Sequence, residues 1–305
     1  MNQRGKNKRI GRQQDRVIFN SIGYILVFIF GLMCVLPFYV ILIASFTNES
    51  SLLRNGYSLI ITEFSWNSYE LAFRTPERIF WAYRNTVIVT MVGSAVAVLI
   101  ATMTGYVLQR KDFYGRNGFS FFFFFTTLFN GGLVPWYIMC VRYLGFRNNY
   151  AALLLPLMFS VWNMIIAKNY IKSIPYEITE SAKIDGANDI QIFFRLILPL
   201  CSPLIATLVL FSALAYWNDW YNSMLFITAD EKMSLQYFLQ QMINSIAALK
   251  QMISMGGSAE SMNTTLPLET LKMAMTVITT GPIILLYPFV QKYFVKGLTI
   301  GSVKG

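Results

Sequence analysis

The chain has 305 residues, of which 55% are apolar, 16% aromatic and only 13% charged. Soluble domains carry roughly 25% charged and about 45–50% apolar residues, so the composition excludes an ordinary soluble domain and points to the membrane class. There is no histidine, which removes the commonest general base and metal ligand, and the net charge of +10 sits beside apolar runs instead of forming a face for nucleic acid.

A helix needs about 20 apolar residues to cross the hydrocarbon core. The chain opens with a basic tail over 1–16 that carries Arg4, Lys6, Lys8, Arg9, Arg12 and Arg16. Six apolar runs then meet the length requirement: Val17–Phe46, Asn85–Leu108, Phe119–Tyr143, Tyr150–Ile171, Leu196–Phe226 and Leu271–Phe294. The first exceeds the 7–15-residue core of a cleavable signal and is expected to stay as an anchor. The transmembrane region is thus expected over 17–294, with long external loops over 47–84 and 228–270 and a C-terminal tail over 295–305. Gly131, Gly132 and Pro135 fall inside the third run and predict a break there, where the freed backbone groups must face protein or water. Phe121 to Phe125 form an unbroken run that faces every side of a helix, which suits lipid contact and packing better than a ligand box. Cys34, Cys140 and Cys201 are far apart and apolar in context, and are expected to be buried free thiols acting as small hydrophobes.

Lys and Arg set the orientation. Sixteen of the 25 lie in the N-terminal tail, after the second run (Arg110, Lys111, Arg116), after the fourth (Lys168, Lys172, Lys183, Arg195) and in the C-terminal tail (Lys292, Lys296, Lys304). Cations are retained on the cytoplasmic side, so both termini and the 173–199 loop are expected in the cytoplasm.

That loop is the most informative segment. Pro175 suits a first helical turn, where its missing N–H costs nothing. Asp185-Gly186 is a stop signal, since Gly accepts the left-handed backbone that ends a helix. Asn188 with Gln191 three residues on forms a capping box for a second helix. Ile190, Phe193 and Ile197 follow at helical spacing. Counted together with Lys168 and Lys172 just before it, the segment sets four bases (with Lys183 and Arg195) against four acids (Glu177, Glu180, Asp185 and Asp189), charge-dense and neutral as in a docking element; an amphipathic connector on the membrane surface has the same composition.

The spacing Glu180-Ser181-Ala182, Gly186, then Leu196-Ile197-Leu198-Pro199 resembles the signature of permease subunits of bacterial ABC importers. Ser181 and Leu196 depart from the usual Ala and Ile, both conservatively. Ile184-Asp185-Gly186-Ala187, Tyr216-Trp217-Asn218-Asp219-Trp220 and the ending from Lys296 to Gly305 resemble the maltose-type, oligosaccharide-uptake members. The stretch from Asn130 to Pro135 resembles a complex-saccharide subgroup of Gram-positive bacteria.

The resemblance implies an all-α membrane protein of six helices with the type I importer permease fold, in a bacterial plasma membrane. It implies a second homologous permease, two cytoplasmic ATPase subunits and an extracytoplasmic solute-binding protein as partners. It assigns ATPase coupling to Glu180, Ser181, Ala182, Asp185, Gly186, Leu198 and Pro199, with Gly301, Ser302, Val303 and Lys304 as a terminal ATPase contact. Small Ala182 and Gly186 are expected to allow close approach of the ATPase. The chain has no Gly-x4-Gly-Lys-Ser/Thr loop, so ATP and Mg²⁺ are expected on the ATPase partners and no cofactor or metal on this chain.

Trp162, Asn163, Trp217, Asn218, Asp219, Trp220 and Tyr221 gather aromatic, amide and carboxylate groups suited to sugar rings and hydroxyls. An interfacial aromatic belt and helix packing are the competing explanations. Three rival functions remain at this point: a permease for a peptide or amino acid, a membrane-embedded enzyme, and a structural membrane protein. The missing histidine and the lack of an intramembrane carboxylate pair weigh against the enzyme.

Overall fold

The computed structural model describes residues 4–74, 76–255 and 267–284. Among these the chain is helical, with one isolated antiparallel bridge between Thr47 and Phe64. In order the helices are α1 (Arg4–Ser45), α2 (Glu49–Asn55), α3 (Asn67–Ala72), α4 (Pro76–Gln109), α5 (Arg116–Leu128), α6 (Leu133–Ile138) and α7 (Ala151–Leu154). Then come α8 (Val161–Lys172), α9 (Glu177–Ile184), α10 (Asp189–Ile192), α11 (Leu198–Leu200), α12 (Ser202–Trp217), α13 (Tyr221–Phe226) and α14 (Leu235–Ser254). A last helix, α15, runs over 268–284. Contacts divide the chain into two units, one of 1–74 with 250–278 and one of 75–249 with 279–305.

In the first unit, the 27-residue stretch Phe19–Ser45 of α1 is long and apolar enough to cross a membrane, and none of its most apolar window is buried within the chain. A helix apolar on all sides and uncovered by its own chain has lipid or other helices as its surroundings. Beyond it, Phe46, Phe64, Trp66 and Tyr69 pack edge-on and stacked at centroid distances of 4.9–6.0 Å. Buried Glu49 caps α15. Its carboxylate accepts the Glu269 N–H at 2.9 Å, and the Thr270 N–H and hydroxyl at 2.8 Å each. Orphan N–H groups and the helix dipole both favour an anion at that end.

The second unit is organised by α4. Gly93, Ala97, Ala101 and Gly105 recur every fourth residue and are buried, so they form one narrow stripe along the helix. Small residues let membrane helices approach closely. The Tyr216 ring of α12 covers Gly93, and at Gly105 an added Cβ would lie 2.8 Å from both Ala167 Cβ and the Lys168 backbone nitrogen of α8. Near its start, Asn85 donates to the carbonyls of Glu231 (2.7 Å) and Met233 (3.2 Å) and accepts from the Tyr150 hydroxyl at 2.9 Å. Thr86 Oγ1 accepts the Leu235 N–H at 2.8 Å, which fixes the start of α14.

Two helices among the described residues are long and apolar enough to cross a membrane, and there are up to five such spans if each bent pair counts as one. The break expected at Gly131-Gly132 is present: α5 and the stretch Leu133–Tyr143 meet at 114°, with Gly132 at φ +88°. The fourth span is bent by 46° and the fifth by 84°, the latter between Leu200 and Ser202. The sixth expected run lies partly outside the described residues, which end at 284 there. Helix α4 starts at Pro76, ahead of the apolar run at Asn85, because Pro at the first turn and Glu77 favour a helix start there. The 228–270 segment contains the 20-residue helix α14. All three cysteines are free thiols; Cys140 and Cys201 are buried as expected, but Cys34 is exposed because its stretch of α1 is not covered by the rest of the chain.

Candidate functional site

The 173–199 segment folds as a helix, a tight turn and a second helix. Helix α9 starts two residues after Pro175, whose carbonyl accepts the Ile178 N–H at 3.4 Å. It stops because Gly186 takes φ +80°. The Gly186 N–H then reaches the Lys183 carbonyl and the Ala187 N–H reaches the Ala182 carbonyl, each at 3.0 Å, so the last turn's acceptors are satisfied in a Schellman arrangement. Two residues on, Asn188 Oδ1 accepts the Gln191 N–H at 2.9 Å, and Gln191 Oε1 accepts the Asn188 N–H at 3.1 Å, completing the capping box. From Asp189 the chain stays helical to Leu200 through a π-helical turn at Phe193–Ile197, where the Leu198 N–H donates to Phe193 O. Pro199 lies in this helix, not at its start, and a proline without an N–H suits such a widened turn.

A network of charges holds the turn in place. Arg110, at the end of α4, hydrogen-bonds Asp112 through two nitrogens, one of them Nε at 2.8 Å from Oδ1. The same guanidinium reaches Asp189 Oδ1 at 2.6 Å, and Lys183 Nζ lies 3.0 Å from Asp112 Oδ2. Hydrogen bonds from Arg110, then from Lys183, hold the Asp112 carboxyl well below the usual carboxylate range despite partial desolvation. The Lys183 ammonium is shifted up by the same Asp112 contact. Arg110 is mostly buried, its side chain 15% exposed, so this clamp is less screened than a surface pair. The sequence does not announce it: Arg110 stands out there only as a topological charge, and no spacing rule links 110 and 112 to 183 and 189.

Packing ties the loop to the bundle. Ala182, Ile192, Phe193 and Ile197 share one buried cluster with Tyr106 of α4, Ala167 and Ile171 of α8, and Leu204 and Leu208 of α12. Phe193 and Tyr106 rings lie 5.5 Å apart. Ala182 therefore gives close approach inside the chain, its side chain packed in this cluster. Ile190 departs from the expected apolar face and is 69% exposed. The outward edge consists of Glu180, Ser181, Asp185 and Gly186, all exposed, with Ile184 at 86% exposure beside them. Ile184 adds a large apolar side chain to this exposed edge.

The aromatic and amide candidates do not converge on one site. Asn163 is buried and donates to Ser212 Oγ at 3.2 Å, joining α8 to α12, while Trp162 beside it is exposed. Trp217 is buried; Asn218 donates to the Leu214 carbonyl at 3.0 Å as α12 ends. Asp219 accepts from the backbone and side chain of Asn222 at 3.1 and 2.9 Å. These contacts build the corner between α12 and α13. Trp220 and Tyr221 stay half exposed, their rings 6.0 Å apart. Gly301, Ser302, Val303 and Lys304 lie outside the described residues.

Residues 97–300 match the family model of the binding-protein-dependent transport system inner membrane component. The chain belongs to that family. The match covers the small-residue half of α4, the Arg110 clamp, the turn at Gly186 and the bent fifth span. A polygalacturonan/rhamnogalacturonan transport system permease protein, YtcP of Bacillus subtilis (strain 168), is 38% identical over 288 residues, covering 94% of this chain and 99% of its own. Protein LplC of the same organism is 37% identical over 275 residues, 90% of this chain and 91% of its own. A bacterial ABC transporter involved in import of the acidic polysaccharide alginate has a chain that superposes with a TM-score of 0.77 at 28% identity, covering 92% of this chain and 98% of that one. This permease is thus a membrane component of an ABC transport system, with the type I importer permease fold expected from its sequence.

Proposed function

We propose that this permease forms half of the translocation pathway of a bacterial importer, with a second homologous permease as its partner and an oligosaccharide as cargo. An extracytoplasmic binding protein delivers the saccharide. Two cytoplasmic ATPase subunits bind and hydrolyse ATP with Mg²⁺; this chain does neither. The relatives named for polygalacturonan/rhamnogalacturonan and for alginate support a saccharide cargo.

The observation that carries the coupling role is the two-sidedness of α9. Its inner side, through Ala182, belongs to the core shared with α4, α8 and α12. Its outer edge, Glu180, Ser181, Ile184, Asp185 and Gly186, is exposed. A connector floating on a membrane surface has no such internal anchorage. Motion of an ATPase cleft around the outer edge is passed to the bundle as a rigid shift, because packed cores transmit strain. Leu198 and Pro199 lie where the second helix joins the bend of the fifth span, and the terminal residues Gly301–Lys304 add a second ATPase contact. Both termini and this turn lie in the cytoplasm, as the Lys and Arg bias requires.

The test is reconstitution in proteoliposomes with the partner permease, ATPase and binding protein. ATP-dependent uptake of a labelled acidic or neutral oligosaccharide is expected, with no ATP hydrolysis by this chain alone. Uptake of a peptide or amino acid without saccharide uptake would move the cargo assignment to another polar solute. Specific ATP binding by the isolated chain would end the permease-only role.

A further inference from the structure

Beside the start of α9 lies a cavity of about 750 Å³ with an unusual charge pattern. Lys111, Arg116, Lys168 and Lys172 line it, with Glu177 as the one carboxylate. None of these four cations forms an ion pair among the described residues. The nearby acids Asp112 and Asp189 are already taken by Arg110 and Lys183. The cations are instead positioned by neutral groups. Lys168 Nζ donates to Ser120 Oγ at 2.8 Å, Arg116 donates to the Arg110 carbonyl at 3.4 Å, and Lys111 Nζ lies 5.6 Å over the Tyr176 ring. The N-terminal end of α5 opens into the same space through Arg116 and Asn117, and its N-cap residue, Gly115, brings no side-chain acceptor. Converging cations beside a helix start that has no side-chain cap form a site for an anion.

A second feature says which kind of anion. A groove of about 290 Å³ runs along α4 and α5, lined by Met103, Val107, Leu108, Phe113, Phe119 and Phe123, with little polar surface. Leu108 lines both spaces, so the basic cavity and the apolar groove adjoin. Above the groove, α5 presents its exposed phenylalanine run, while the cations cluster where α4 and α8 end and α5 begins. Charged head beside apolar tail, at the end of the spans, is the chemistry of an amphiphile. Basic pockets between membrane helices hold anionic lipid headgroups by this same combination.

We propose that this cavity binds the phosphate headgroup of an anionic phospholipid, with an acyl chain in the adjoining groove. Because Tyr176, Glu177 and Thr179 also line the cavity, a bound lipid braces the start of α9 and stiffens the turn that carries Gly186.

The experiment is native mass spectrometry of the full chain in mild detergent, with phosphatidylglycerol, phosphatidylcholine and inorganic phosphate as separate probes. Retention of phosphatidylglycerol over phosphatidylcholine is expected. Lys172→Gln and Lys111→Gln, both at exposed positions, should each weaken retention about fivefold, from the typical contribution of one cation near an anionic lipid surface. Arg142→Gln, an equal charge loss outside the cavity, should change nothing. Equal retention of both lipids, or no response to the two lysine variants, overturns the proposal. Displacement of phosphatidylglycerol by millimolar inorganic phosphate would make this a free-anion site and remove the lipid. Zero-length carboxyl–amine crosslinking of Lys111 or Lys172 to a partner ATPase, with no lipid retained, would assign the cavity to protein docking instead.

Discussion

Lys183 Nζ and Asp112 Oδ2 lie 3.0 Å apart although 71 residues separate them in the chain. Asp112 also holds Arg110, and Arg110 holds Asp189, so one carboxylate links the end of the second span to both helices of the turn. Asp112→Asn removes the charge from the centre of this network. Destabilisation of about 1 kcal/mol is expected, since the partners are partly exposed and screened. The decisive measurement is amide hydrogen exchange over 177–187, which should speed up locally while α4 and α12 stay protected. Unchanged exchange there would mean the clamp does not hold the turn.

The same network sets an acid limit. The Asp112 carboxyl is depressed in the folded chain, so its contribution is complete above the ordinary carboxylate value near pH 4 and is lost as pH falls through the lower folded value. Exchange protection of 177–187, corrected for intrinsic rates, should therefore be flat from about pH 5 to 8. A decline of protection between about pH 6 and 5 would contradict the assignment, because Asp112 stays ionised throughout that range.

Much of this arrangement is readable from local sequence. Gly186, Asn188 and Gln191 announce their turn and cap because each acts on backbone groups within a few residues. The break at Gly131-Gly132 is announced the same way. The clamp is not, because nothing local pairs Arg110 and Asp112 with Asp189 and Lys183; only the packing of α9 and α10 against the end of α4 does so. Ala182 has the opposite lesson. Its small size suits the approach of a partner or of another helix equally, and only the packing of α9 shows that it belongs to the chain's own buried cluster. Asn163 and Asp219 look like ligand groups in a list of residues, yet their hydrogen bonds go to Ser212 and Asn222.

Topology gives the next test. Glu180→Cys in a Cys34→Ser background places one exposed thiol on the outer edge of α9, since Cys140 and Cys201 are buried. An impermeant maleimide should leave it unlabelled in intact cells and label it in inverted vesicles. Labelling from outside intact cells would reverse the orientation and place the turn away from any cytoplasmic ATPase.

Gly186 separates backbone strain from crowding. An added Cβ meets nothing within 4 Å, so only the φ of +80° penalises a side chain. Gly186→Ala should cost about 1–2 kcal/mol, and Gly186→Asn less, because Asn tolerates the left-handed region. Saccharide uptake should fall in the order Gly, Asn, Ala, while ATPase copurification persists for Asn. Glu180→Lys should instead leave thermal stability unchanged and remove copurification, since its side chain is exposed and makes no internal ion pair among the described residues. Full uptake in Gly186→Ala and Glu180→Lys together would leave the turn with no coupling role.

The last prediction concerns the stripe on α4. At Gly105 an added methyl would lie 2.8 Å from Ala167 Cβ and from the Lys168 backbone nitrogen, and neither is the mobile end of a flexible side chain. Gly105→Ala must therefore push α4 and α8 apart, and overpacking of this kind costs about 1–3 kcal/mol. Gly31, in the middle of α1, meets nothing within 4 Å. There Gly31→Ala should stabilise the helix by about 0.5–1 kcal/mol, from helix propensity alone. The same chemical change thus has opposite signs at two helical glycines, and thermal unfolding of the two purified variants in one detergent measures both. If Gly105→Ala melts no lower than Gly31→Ala, close approach of α4 to α8 is not what holds the bundle behind the turn at Gly186.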